Sequence, residues 1–157
     1  MGGNLAASVC QLFRQGGEPQ PVLQLLICPL LDAAGEEPSM TTYAGAWPLG
    51  TAEIRWFLSH YMGAGDSPDD PRLSPLREPD LAGLAPALIA CAGFDPLLDQ
   101  SEAYARKLAA AQTACVYRCY DALPHGFTAF IDLVPAAEAA SRDIAAIARD
   151  FLAVEAP

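Results

Sequence analysis

Two ionisable residues of this sequence stand at predicted strand ends, where they could transfer a proton together. Asp95 follows an apolar run at residues 87–92, and His125 lies in the loop after a strand candidate at residues 114–120. Because catalytic groups gather at the carboxyl ends of strands in open α/β sheets, we expect the two side chains to meet. A carboxylate that binds one ring nitrogen fixes the imidazole tautomer, and the other nitrogen can accept the proton of a hydroxyl nucleophile. The pair therefore predicts general acid–base chemistry.

Structural roles for the same residues stay open at this point. An aspartate between a strand and a proline is commonly a turn or helix-capping residue. A histidine in a loop is commonly structural or simply exposed. The other histidine, His60, lies in an amphipathic segment, where a surface or capping role is expected.

Apolar periodicity divides the chain into alternating helices and strands. We predict helices at residues 2–14, 51–61, 99–111 and 135–154, strands at residues 22–28, 87–92 and 114–120, and loops at residues 32–47 and 63–79. Thr51 is the predicted N-cap of the second helix. The first strand is an almost continuous apolar run, which is typical of a strand buried on both faces of a parallel sheet. The order predicts an α/β fold in which parallel strands alternate with helices.

Composition and charge narrow the class of protein. The 157 residues fit one domain, 52% of them are hydrophobic, and the net charge is -10. An acidic chain repels phosphate backbones, so we expect no nucleic-acid partner, and attraction to an anionic membrane surface is also disfavoured. No apolar run approaches the ~20 residues that a membrane span needs. The N-terminus lacks the pattern of a signal peptide, so a cytoplasmic protein without a membrane span is expected.

The cysteines predict neither disulfides nor a metal site. Their number is odd and no C-x-x-C pair occurs among Cys10, Cys28, Cys91, Cys115 and Cys119. Three of them lie inside apolar runs, where cysteine usually acts as a small buried hydrophobe. We expect free thiols in a reducing compartment. No metal-binding spacing is visible, and the expected chemistry needs no cofactor.

Several short motifs, in order along nearly the whole chain, resemble the hormone-sensitive-lipase-like esterases, a branch of the α/β-hydrolase fold. They are Gly2-Gly3-Asn4-Leu5-Ala6, Pro29-Leu30-Leu31-Asp32, Ser74-Pro75-Leu76, residues 81–87, Asp95-Pro96-Leu97-Leu98-Asp99 and His125-Gly126-Phe127. The resemblance implies a carboxylic ester hydrolase, an esterase or lipase, that works through a Ser-Asp-His triad. It assigns Asp95 and His125 as acid and base. It also implies that residues 1–157 form the C-terminal part of the fold, with a partial cap insertion at about residues 33–80.

The same resemblance predicts that the nucleophile is missing from this chain. Alignment of Gly2 with the family's Gly-Asp-Ser-Ala-Gly-Gly-Asn-Leu-Ala segment places the serine one residue before Met1. The His-Gly-Gly-Gly segment that supplies oxyanion donors does not occur either. Ser67 follows Gly-Asp, but no apolar strand precedes it and no glycine stands two residues after it. We therefore expect negligible ester hydrolysis by the 157-residue chain.

Substrate and partners are only broadly specified. The resemblance implies small apolar carboxylic esters, with Phe127 and Trp56 as candidate substrate-binding residues, and ordinary core packing is the alternative for both side chains. An unpaired edge at residues 22–28 predicts a homo-oligomer or an aggregation-prone chain. The alternative function is a non-catalytic binding or partner module that keeps the fold.

Overall fold

A three-stranded parallel sheet forms the centre of the computed structural model, which describes residues 2–153. The strands are β1 (Gln24–Ile27), β2 (Ala87–Phe94) and β3 (Cys115–Pro124), and they lie in the order β1-β2-β3. Both ladders are parallel. The predicted alternation of parallel strands with helices is confirmed.

The helices agree closely with the periodicity of the sequence. They are α1 (Gly2–Gly16), α2 (Pro38–Thr42), α3 (Thr51–Tyr61), α4 (Leu98–Ala110) and α5 (Pro135–Ala153). The short helix α2 was not predicted, because it lies in the segment expected to be a loop; a proline at its start presets the helical φ angle. The last helix was predicted to reach Val154, which lies outside the described residues.

Side chains alternate between two apolar layers along the central strand β2. Ile89 faces the layer that holds Tyr104 and Leu108 of α4 together with Ala7 of α1. Its neighbour Leu88 faces the opposite layer, which α5 covers. All residues of β2 before Phe94 are buried, because helices cover both faces of the sheet.

The first strand is shorter and more exposed than predicted. It comprises four residues, and Leu25 keeps 38% of its surface accessible. Among the described residues β1 is an edge strand, and Leu25, unlike Leu26, belongs to neither apolar layer. The prediction of a strand buried on both faces is therefore wrong for β1.

The predicted cap of α3 is also corrected. Gly50 occupies the N-cap position, and its N–H donates to Oε2 of Glu53 at 3.0 Å. Thr51 is instead the first helical residue, and its hydroxyl donates to the carbonyl oxygen of Met40 at 2.5 Å. This bond joins α3 to α2.

A small apolar cluster covers the carboxyl end of the sheet. Leu30 follows β1, Leu97 precedes α4, and both pack against Met40, Leu49 and Ile54 of the segment that carries α2 and α3. The segment that carries α2 and α3 therefore covers the edge of the sheet at which β1 and β2 end. Among residues 2–153, no helix is long and apolar enough to cross a membrane.

Candidate active site

The register of β2 and β3 sets the positions of Asp95 and His125. The last pair of the ladder is Phe94 with Pro124, whereas positions 92 and 120 pair just before it. The offset between partners grows from 28 to 30 residues (120 − 92 and 124 − 94), because β3 contains two additional residues at a bulge. Asp95 and His125 immediately follow the last pair, so they leave the sheet side by side.

A glycine makes this irregularity sterically feasible. A Cβ at Gly93 would collide with the backbone of Asp121, which lies in the bulged part of β3. Only a residue without a side chain allows the two strands to approach so closely. Gly93 therefore contributes to the site although it carries no functional group.

Asp95 and His125 form a direct hydrogen bond. Nδ1 of His125 lies 2.8 Å from Oδ2 of Asp95 and donates to this carboxylate oxygen. The other oxygen, Oδ1, accepts the backbone N–H of Leu97 at 2.9 Å. The Asp95 side chain is buried, whereas that of His125 is 24% exposed. The carboxylate thus orients the ring, and no hydrogen bond within residues 2–153 engages Nε2, which stays available for a proton.

The turn after β3 holds the imidazole in place. Gly126 adopts a left-handed conformation with φ +67°, which glycine adopts without steric cost. The next residue, Phe127, is fully buried, and its ring contacts that of Tyr120 edge-on at a centroid distance of 5.2 Å. Phe127 therefore anchors the loop that presents His125.

Helix α1 begins at the same edge of the sheet. The side-chain amide of Asn4 donates to the carbonyl oxygens of Leu30 at 2.9 Å and Leu73 at 2.8 Å. A Cβ at Gly3 would lie 2.9 Å from that of Pro29, so glycine allows the helix to approach the segment after β1. These contacts explain the Gly3-Asn4 motif physically. Met1, which the sequence analysis placed next to the nucleophile, lies outside the described residues.

An apolar cavity of about 210 Å³ opens beside His125. Its wall combines Cys28 and His125 with aliphatic and aromatic side chains from α3 and from the loops at the strand ends: Leu30, Leu49, Ile54, Phe57, Leu58 and Leu97. A cavity of this kind, with few polar groups at one end, is typical of a site for a small organic ligand.

The other predicted site residues do not join this cavity. Trp56 is 57% exposed and contacts Phe57 and His60 on the outer side of α3. Phe127 lies in the core, as described above, and neither side chain lines the cavity. A substrate-binding role for Trp56 or Phe127 stays a prediction. Ser67 is exposed in a turn, where its hydroxyl accepts the N–H of Asp69 at 3.2 Å.

Cys28 belongs to the site, and the sequence analysis did not identify it. Its N–H donates to the carbonyl oxygen of Ala90 at 2.8 Å, which extends the β1–β2 ladder, and its φ is +44°. Its Sγ, a carboxylate oxygen of Asp95 and a ring nitrogen of His125 all lie within 4.8 Å of one another. Burial, and secondly the negative charge of Asp95, raise the pKa of the thiol. The available signal was position, since Cys28 stands at a strand end before a proline just as Asp95 does.

The free state of the cysteines agrees with the sequence analysis. All five are free thiols, and Cys10, Cys28 and Cys91 are buried.

Comparison with known proteins places this geometry in context. The family described as alpha/beta hydrolase fold matches residues 1–129. The carboxylic ester hydrolase LipN of Mycobacterium tuberculosis is 44% identical over 156 residues, which are 96% of this chain and 42% of LipN. The carboxylesterase NlhH of the same species is 39% identical over 152 residues, which are 94% of this chain and 48% of NlhH.

A solved structure agrees with these sequence matches. An α/β-hydrolase enzyme from the metagenome of Lake Arreo, Spain, superposes with a TM-score of 0.87 at 37% identity, covering 92% of this chain and 45% of the enzyme. The chain therefore spans about half the length of the relatives that it matches.

Proposed function

The chain belongs to the α/β-hydrolase family, and we propose that it supplies the acid and the base of a carboxylic ester hydrolase. The observation that carries this proposal is the 2.8 Å hydrogen bond between buried Asp95 and partly exposed His125, which forms part of the wall of an apolar cavity. A catalytic base needs one ring nitrogen that is held and one that is free, and this arrangement provides both.

In the proposed reaction His125 accepts the proton of a serine hydroxyl as the serine oxygen bonds to the ester carbonyl carbon. Asp95 stabilises the imidazolium that results. His125 then gives the proton to the leaving alcohol as the carbon–oxygen bond of the ester breaks. Water attacks the acyl-enzyme in the second half, and His125 takes its proton and returns it to the serine. These steps need a nucleophile segment, and no Gly-x-Ser-x-Gly sequence occurs within the 157 residues.

We propose small apolar carboxylic esters as substrates. The cavity beside His125 measures about 210 Å³, and hydrophobic side chains form most of its wall. Ligand pockets of about 300–1,000 Å³ are typical for drug-sized molecules, so this smaller volume favours a short acyl or alcohol group. The segment at residues 33–80 forms one wall through Leu49 and Ile54, which supports its proposed role as part of a cap.

We also propose a reducing compartment such as the cytoplasm, which the five free thiols support. The edge of β1 and the outer side of α1 expose apolar side chains, which supports self-association of the chain: Leu5, Val9, Leu12, Phe13, Val22 and Leu25.

The test is an extended protein in which the segment of LipN that precedes the residue aligned with Gly2 replaces Met1 of this chain. We expect the extended protein to hydrolyse p-nitrophenyl acetate and butyrate much faster than p-nitrophenyl palmitate. The 157-residue chain alone should show negligible hydrolysis, since it carries no nucleophile elbow. A folded extended protein without esterase activity would instead favour the non-catalytic binding module.

A further inference from the structure

A third chemically active group lies beside the Asp95–His125 pair, and the proposed hydrolysis does not use it. Cys28 follows β1 directly, is only 6% exposed, and lines the cavity together with His125. Its left-handed backbone, with φ +44°, is uncommon for a residue that carries a side chain. The ladder bond from the N–H of Cys28 to the carbonyl oxygen of Ala90 fixes the backbone from which the thiol projects.

The three side chains bring a thiol sulfur, a carboxylate oxygen and an imidazole nitrogen close together. A sulfur, an oxygen and a nitrogen from Cys28, Asp95 and His125 lie within 4.8 Å of one another. Sulfur and nitrogen donors select borderline and soft cations such as Zn²⁺ over Mg²⁺ or Ca²⁺. We propose that Cys28, Asp95 and His125 form a binding site for a thiophilic divalent cation, with Zn²⁺ as the natural occupant.

The geometry requires only small side-chain adjustments. Zinc binds sulfur at about 2.3 Å and nitrogen or oxygen at about 2.0–2.2 Å, so tetrahedral ligands lie roughly 3.3–3.6 Å from one another. The present separations bracket this range, from 2.8 Å between His125 and Asp95 to an upper limit of 4.8 Å for the cluster. Three protein ligands leave the fourth tetrahedral position to water from the cavity.

Charge also favours a cation at this point. Asp95 carries a buried negative charge, and the chain as a whole has a net charge of -10. Binding of the cation replaces the S–H bond of Cys28 by a sulfur–metal bond and releases the proton to solvent. Without a cation, the buried thiol stays protonated beside the carboxylate and is a poor nucleophile.

Sequence spacing gives no hint of this site. Cys28 precedes Asp95 by 67 residues, and Asp95 precedes His125 by 30 residues (95 − 28 and 125 − 95). Only the parallel order β1-β2-β3 brings the ends of all three strands together.

Occupation of the site would inhibit the hydrolase, and this consequence rests on the proposed function. If Nδ1 of His125 coordinates the cation, the cation replaces the proton that Nδ1 shares with Asp95. If it takes Nε2, it occupies the nitrogen that would accept the serine proton. In both cases the base is lost, so the cation acts as a reversible inhibitor rather than as a cofactor.

The direct test is a Co²⁺ titration of the purified chain, followed by the thiolate-to-cobalt charge-transfer band. We expect one Co²⁺ per chain, release of about one proton, and displacement of Co²⁺ by Zn²⁺. Cys28→Ser should lose the band and weaken binding by more than about 100-fold, since even outer-shell changes cost 10–100-fold. The matched control is Cys10→Ser, which alters an equally buried thiol in α1 and should keep the band.

Three results would overturn the proposal. They are no band in the unmodified chain, a band that survives Cys28→Ser, or equal loss of the band in Cys28→Ser and Cys10→Ser. Circular dichroism of both variants reports whether each one folds. His125→Ala provides a second variant, and it should also abolish stoichiometric binding.

Inhibition of the extended protein by Zn²⁺ tests the metal site separately from the proposed esterase function. In the extended protein, Zn²⁺ should suppress ester hydrolysis and a chelator should restore it. The Cys28→Ser version, normalised to its own zinc-free rate, should resist Zn²⁺ at least about tenfold better. If the extended protein binds cobalt but does not hydrolyse esters, the metal site is supported and the proposed esterase function is wrong. If the extended protein hydrolyses esters but does not bind cobalt, the esterase function is supported and the metal site is wrong.

Discussion

Phe94 in β2 lies opposite Pro124 in β3, and this pair ends the ladder immediately before Asp95 and His125. The bulge in β3 is what aligns these residues, because an unbroken register would place position 122 opposite Phe94 (94 + 28). A shift of the strand pairing would therefore change the geometry of the Asp95–His125 pair as directly as a change of side chain.

Gly93→Ala tests this dependence on the strand register. The added Cβ would collide with the backbone of Asp121, so we expect the free energy of unfolding to fall by about 1–3 kcal/mol. Chemical denaturation of the purified variant gives this value. Gly45→Ala is the control, because its Cβ would meet no atom within 4 Å. Equal stability of Gly93→Ala and the unmodified chain would show that the strands tolerate a wider separation.

Asp95→Asn tests the role of the buried carboxylate. Asparagine keeps the shape, but its amide can turn an N–H toward Nδ1 and so favour the wrong tautomer of His125. We expect kcat of the extended protein to fall by on the order of 10³–10⁴-fold. Asp99→Asn is the matched control, since Asp99 also accepts a backbone N–H, from Ser39 at 2.8 Å, but does not contact His125. A loss of similar size in both variants would point to a structural effect.

The sequence alone led to the fold class, the approximate bounds of α1, α3, α4 and α5, and the pairing of Asp95 with His125. The resemblance to the hormone-sensitive-lipase-like esterases is confirmed by the relatives. These features depend on local periodicity and on the rule that parallel strands end at one edge. Cys28 was missed because its proximity to Asp95 and His125 arises from the tertiary fold, and local pattern does not encode the left-handed backbone that it adopts. The exposure of Leu25 was missed for a related reason, since an apolar run does not reveal which helices cover it.

Thiol reactivity provides a test of the buried cysteines. Burial is the leading cause that raises the pKa of each of the five thiols, to about 11 for Cys115. A pKa above the ambient pH leaves the thiol neutral, so only about 0.1% of Cys115 would be thiolate at pH 8. We expect iodoacetamide to react with the cysteines of the folded chain far more slowly than it reacts with free glutathione. In guanidinium chloride, where the chain is unfolded, it should label all five cysteines. Rapid labelling without denaturant would show that burial does not keep these thiols protonated.

Self-association can be tested at the exposed apolar edge. Val9 and Leu12 on α1 are 40% and 46% exposed, and we expect the chain to form concentration-dependent oligomers through this surface. Val9→Glu combined with Leu12→Glu should shift the mass measured by analytical ultracentrifugation toward the monomer. Leu133→Glu, at a position that is 79% exposed elsewhere, should not change the mass. A monomeric unmodified chain at all concentrations would rule out this interface.

His125 is proposed as the base of an ester hydrolase, and the rate of p-nitrophenyl butyrate hydrolysis by the extended protein tests this role most directly. We predict that His125→Ala lowers kcat/KM by at least about 10³-fold, because removal of a triad member leaves only oxyanion stabilisation and binding. His60→Ala, which alters the exposed histidine of α3, should leave kcat/KM unchanged. Hydrolysis that survives His125→Ala, or a folded extended protein that does not hydrolyse the ester at all, would contradict the claim.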